Sequence, residues 1–209
     1  MARKKQHRKR IGKKVYSIIV EGETEKWYFD MMKREEALPN ITIKPDLPSK
    51  RTLQTQYEMV TEHAESYDKV LWILDFDTIL KENKEVRTGE KSRLHEFREY
   101  LKKLKNYDNV KVLVNTPCLE FWFLLHFEDT GKYFPACKEV TKTLGKTMPG
   151  KYEKTRKYFI ENNLYKKLKP YQATALENAG KLGDFDIENP KTAKAEIYKV
   201  FNFVKIQSS

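Results

Sequence analysis

Cysteine is nearly absent from this chain: Cys118 and Cys137 are the two thiols among 209 residues. They are not closely spaced and no second pair accompanies them, so the sequence offers neither the paired spacing of a zinc site nor a disulfide framework. Cys118 lies in an apolar run, and both are expected to be reduced, structural thiols. Long hydrophobic runs are missing as well. No stretch approaches the roughly 20 apolar residues of a membrane span, and residues 1–14 lack the apolar centre of a signal peptide. A cytoplasmic protein with no membrane contact is therefore expected. No internal repeat is visible. Acidic residues are absent from one segment, Met1 to Lys14, which holds eight Lys or Arg.

That segment carries most of the net charge of +11. Removing its eight from the 41 Lys and Arg leaves 33 against 30 Asp and Glu, a body near +3. A dense basic block is usually disordered and releases counterions from a phosphate backbone without reading sequence. Arg3, Lys4, Lys5, Arg8, Lys9 and Arg10 are thus candidates for nucleic-acid contact, with a merely solubilising terminus as the alternative. The remainder, 39% hydrophobic over the whole chain with mean hydropathy -0.76, is long enough for one α/β core.

Two strand ends dominate what is present. Val15 to Val20 runs straight into Glu21-Gly22-Glu23-Thr24-Glu25, and Val70 to Leu74 straight into Asp75-Phe76-Asp77. A short apolar run stopping at a charge reads as a buried strand of a parallel sheet, whose carboxyl end faces the ligand crevice of such sheets. Adjacent acidic ends would form a carboxylate cluster. Glu21, Glu25, Asp75 and Asp77 supply hard oxygen ligands that suit Mg²⁺ or Mn²⁺, and Gly22 permits a tight bend before a helix. An acid ending a strand is more often just the solvated start of a loop, so the weight lies on the combination.

Along the chain, helices are predicted over Glu23 to Ala37, Thr52 to Tyr67 and around Leu94 to Leu104, and strands over Ile41 to Lys44, Lys69 to Asp75 and Val110 to Val114. Pro45 to Arg51 reads as a loop, Thr78 to Ser92 as a mobile loop beside the acids, and Leu119 to Phe127 as a buried helix. After Gly131 short helical pieces separated by prolines follow, with Lys191 to Val204 as the last helix. The order predicts an open parallel sheet with right-handed crossovers. The expected division is a tail over 1–14, an α/β domain over 15–130 and a helical region over 131–209 packed on it. Trp72, Phe121, Trp122 and Phe123 are expected in the core, His126 as a hydrogen-bonded core residue, and His63 and His95 on the surface.

VEGETE at Val20 to Glu25 and DFD at Asp75 to Asp77 resemble the glutamate and paired-aspartate motifs of Toprim domains. Adding NTPCLEFWFLLHF at Asn115 to Phe127 and DIENPKT at Asp186 to Thr192, the chain resembles the RloB-like branch over most of its length. The resemblance implies an α/β fold with a four-stranded parallel sheet in the order 2-1-3-4, flanked by helices, with a helical C-terminal appendage. It also implies metal-dependent phosphodiester chemistry. The chain has no room for the extra domains of a topoisomerase or a primase, so hydrolysis remains. A nuclease acting on DNA or RNA, tRNA included, is expected as the effector of a phage-defence system, abortive infection or restriction-linked, with an ATPase partner and self-association left open. Glu21, Asp75, Asp77 and Glu120 are the catalytic candidates; Glu21, Glu25, Asp75 and Asp77 hold the metal, and Lys26, Lys50 and Arg51 face phosphate. Glu120 within an apolar helix has a bland reading as a buried carboxylate paired with a base. Two rivals stand beside the nuclease. One is a phosphatase of the haloacid-dehalogenase kind, built on ILDFDTIL with Gly183 to Asp186 as its late acidic motif; the other is a catalytically silent adaptor.

Overall fold

The computed structural model describes residues 14–44, 52–85 and 92–205. Strands β1 (Tyr16–Val20), β2 (Ile41–Lys44), β3 (Lys69–Asp75), β4 (Val110–Thr116) and β5 (Lys194–Ala195) form one sheet in the order β2-β1-β3-β4-β5. The first four are parallel and β5 is antiparallel to β4. The chain is an α/β protein with a mostly parallel, helix-flanked sheet. The expected order 2-1-3-4 lies within it, and the two-residue β5 extends it to five strands.

Alternation along the strands sends side chains into two cores, one on each face. Ile18, Val20, Leu71, Ile73 and Leu113 point to one core, and Ile19, Val70, Trp72, Leu74 and Val114 to the other. The first face is covered by α1 (Glu23–Glu35) and α5 (Leu119–Leu124) together with the C-terminal helices α6 (Cys137–Thr147), α7 (Arg156–Glu161), α8 (Leu164–Leu168), α9 (Gln172–Lys181) and α10 (Tyr198–Lys205). The second carries α2 (Leu53–Ser66), α3 (Phe76–Glu85) and α4 (Arg93–Leu104). α2 and α4 begin where Thr52 and Ser92 accept the backbone N–H of Thr55 and His95, the usual hydroxyl cap of an otherwise orphaned donor. Every residue of α5 is buried, as its apolar run predicts, and Trp72, Phe121, Trp122 and Phe123 are all fully enclosed.

Several expectations are corrected. The loop expected over Thr78 to Ser92 is helical as far as Glu85: α3 starts at Phe76, because Phe76 and Ile79 are buried and Phe76 packs against Phe97 and Phe185, while residues 86–91 lie outside the described residues. The last segment is not one helix. Glu196 is buried and accepts the N–H groups of Val114 at 2.9 Å and Phe185 at 3.2 Å, which pins 194–196 beside β4 before α10 begins. His63 is half-buried rather than on the surface, its Nδ1 2.8 Å from the Ser17 hydroxyl. The predicted loop over 45–51 lies outside the described residues, as do Lys50 and Arg51 and the tail candidates Arg3, Lys4, Lys5, Arg8, Lys9 and Arg10.

Candidate metal centre

β1 and β3 are neighbours in register, with Val20 opposite Ile73, so Glu21 and Asp75 leave the sheet at the same rim. Gly22 caps α1 without a side-chain bond, which places Glu25 in the first turn. The fit there is close: a Cβ on Gly22 would lie 2.7 Å from Glu25 Oε2. Glu25 is buried, and burial first, then Glu120, raise its pKa above the usual carboxylate range, against backbone N–H groups and Lys154 that lower it.

Asp75 is held by β4 and its exit turn. Asn115, its register partner, donates Nδ2 to Oδ1 at 3.3 Å, and the Leu119 N–H donates to Oδ2 at 3.2 Å. Burial, followed by the negative charges of Glu25, Glu21, Glu120 and Asp77, pushes its carboxyl well up. Asp77 sits in the first turn of α3, where its N–H donates to the Pro117 carbonyl at 3.2 Å and its Oδ2 accepts the Cys137 N–H at 3.2 Å. Its pKa is also raised, chiefly by burial. Glu21 is pushed up to about 8 by burial and then by Glu25, although Asp75 and Thr78 hydrogen bonds favour its charged form. Its Oε2 is buried without a hydrogen-bond partner. An orphaned carboxylate oxygen among mutually repelling acids is unfavourable without a cation.

Glu120 is fully enclosed. Its Oε1 accepts from the Tyr152 hydroxyl at 3.0 Å and from Lys154 Nζ at 2.8 Å. The bland expectation of a paired carboxylate is thus met by a loop lysine, yet the pair faces the acid cluster, since Lys154 acts on Glu25, Asp75 and Asp77 as well. Burial lowers the Lys154 pKa, but Glu120, then Glu25 and Asp75, raise it above its ordinary value on balance, so it is a cation throughout the physiological range.

The expectation of free thiols is overturned: Cys118 and Cys137 form a disulfide, their Cα atoms 5.6 Å apart. Cys118 caps α5 and Cys137 opens α6, and the chain between them folds back, which a sequence separation of 19 does not reveal. Their two sulfurs and Glu120 lie within 4.8 Å of one another, a spacing at which an ion could be shared. The disulfide takes the sulfurs out of the ligand set here. Glu21, Glu25, Asp75 and Asp77 are spread more widely than that trio, and Mg²⁺ commonly spans such gaps with its retained waters.

Among the other candidates, Lys26 is engaged with Asp30 at 3.1 Å. Asp184 pairs with Lys199 and Asp186 accepts the Glu188 N–H, in a segment that forms no strand. The late acidic motif of a phosphatase is therefore not built. Sequence reasoning gives Asn115, Thr78, Tyr152 and Lys154 no part in this site; Asn115 lies within a motif that stands out, whereas Tyr152 and Lys154 belong to the interleaved Tyr and Lys of 151–169, which read from sequence as a stacking surface for single-stranded nucleic acid or as a solvated helical face with buried aromatics.

The fold is thus a mostly parallel α/β sheet with acidic residues at the ends of β1 and β3 and a buried Glu on α5. The family model described as RloB-like protein matches residues 16–205, and the chain belongs to that family. No curated protein and no solved structure matches the chain.

Proposed function

We propose that the chain is a Toprim-type, Mg²⁺- or Mn²⁺-dependent phosphodiesterase acting on nucleic acid, a nuclease working as the effector of a phage-defence system with an ATPase partner. The observation that carries the chemical part is that Glu21, Glu25, Asp77 and Glu120 all lie near enough to Asp75 to push its carboxyl up, with Lys154 paired to Glu120 and one Glu21 oxygen buried and unpartnered. The donor set is all oxygen and strongly negative, which fits a hard divalent cation. Glu21, Asp75 and Asp77 would hold it, with Glu25 completing the set. The bound ion would polarise a phosphodiester and lower the pKa of a bound water. The Leu119 and Cys137 N–H groups and the Asn115 side-chain amide fix the two aspartates, so Asp75 and Asp77 are oriented by helix-end backbone and a strand side chain. The defence role and the ATPase companion rest on the family resemblance.

Calorimetric titration of Mn²⁺ tests the site. Wild type is expected to bind, Glu21→Gln, Asp75→Asn and Asp77→Asn to lose binding, and Gly22→Ala to weaken it by pushing the Glu25 carboxylate aside while leaving the melting temperature nearly unchanged. A folded wild type that binds no divalent cation would overturn the reading.

A further inference from the structure

Lys154 joins a solvent-facing side chain to a fully enclosed carboxylate. Its side chain is 48% exposed while the carboxylate it grips is 0% exposed, so one end of the ion pair belongs to solvent and the other to the interior. It stands in the irregular segment between α6 and α7, at 151–154, where a swing of the side chain breaks no helix and no ladder. Glu120 does not depend on it alone, because the Tyr152 hydroxyl bonds the same Oε1 at 3.0 Å. A buried ion pair between enclosed partners would resist separation; this one is hinged on its cationic side.

We infer that Lys154 is a displaceable counter-ion, which occupies the acid cluster in the metal-free protein and is released by metal loading to bind the phosphate of a nucleic-acid backbone. The inference rests on the proposed metal site and adds a residue and an order of events to it. A divalent cation entering beside Glu25, Asp75 and Glu120 supplies the positive charge that Lys154 supplies now, and two cations in one site repel. Lys154 is then the group with a path outward, on a long flexible stem carrying a strongly hydrated ammonium. Once outside, it meets the arriving phosphodiester beside the metal, so substrate binding follows metal loading.

The test compares wild type, Lys154→Met and Lys154→Arg. Lys154→Met is expected to lower the melting temperature of the metal-free protein, because the cluster loses its counter-charge, and to bind Mn²⁺ several-fold tighter, because the competitor is gone. Lys154→Arg is expected to restore both values toward wild type. Binding of a fluorescein-labelled phosphorothioate oligonucleotide, which resists cleavage, is expected to strengthen on Mn²⁺ addition with wild type and to lose that increment with Lys154→Met. Unchanged or weaker Mn²⁺ binding by a folded Lys154→Met would make Lys154 a structural strut and overturn the inference while leaving the metal site standing. Absence of Mn²⁺ binding by wild type would remove the metal reading and this inference together.

Discussion

His126 shows how a single side chain in this fold is committed to one protonation state. Its Nδ1 lies 2.9 Å from the Trp122 carbonyl and donates to it in the neutral ring, whose face meets the Trp122 indole edge to face at 4.7 Å. Burial lowers its pKa from 6.5 to about 4, against the carbonyl contacts that favour the charged ring. A histidine whose folded pKa is depressed adds stability that is complete above the unfolded value and is lost as pH falls through the folded one. Between pH 6.5 and pH 4 the fold should therefore lose about 3 kcal/mol from this residue. Glu21, whose pKa is raised from 4.5 to about 8, gains stability as pH falls from 8 to 4.5 and so runs the opposite way over all but the most acid part of that range, which makes a differential comparison necessary. Urea midpoints of wild type and His126→Gln at pH 7 and pH 4 isolate the contribution; equal pH dependence in the two proteins would show that the imidazole does not titrate against the fold.

At the scale of elements, the turn from β4 into α5 does the assembling. Asn115, the Pro117 carbonyl, the Leu119 N–H and Glu120 each touch the acid cluster or its holders, and the disulfide ties this turn to the first residue of α6, whose N–H holds Asp77. Closing a loop of about 20 residues restricts the unfolded chain enough to be worth about 3 kcal/mol. A reducing agent, or Cys118→Ser with Cys137→Ser, should therefore lower the urea stability by that order, and an unchanged midpoint would show that the cross-link does not constrain the protein in solution. β1 to β4 and α1, α2, α4 and α5 are legible in the sequence because each carries an apolar-rich run or apolar residues at helical spacing, and the acidic ends are legible because the runs of β1 and β3 stop at charges. What escapes has physical reasons. α3 hides its two buried residues among lysines and glutamates, β5 is two residues long and made by the far-off Glu196, and Lys154 acquires its role through a partner 34 positions away, which no local pattern encodes.

Across the whole molecule, charge is divided between a basic N-terminal segment and an acidic pocket at the rim of the sheet. The segment ends where the described structure begins: the Lys14 carbonyl accepts the Asn40 amide, and β1 follows at Tyr16. Residues 1–13 carry seven Lys or Arg and no acid, whereas the pocket is lined by the carboxyls of Glu21, Glu25, Asp75, Asp77 and Glu120. Under the proposed function the two regions would act on nucleic acid in different ways, the segment through counterion release and the pocket through a bound cation. Deleting residues 1–13 should leave the melting temperature and Mn²⁺ binding unchanged, because Lys14 and every ligand remain. It should also weaken oligonucleotide binding and flatten its salt dependence, by about 0.7 to 0.9 in the slope of log K against log salt for each phosphate that is no longer neutralised. Fluorescence anisotropy across a series of salt concentrations measures that slope. An unchanged slope would assign nucleic-acid attraction to the folded body, whose own net charge is only near +3, and would leave the terminal segment without a role in substrate capture.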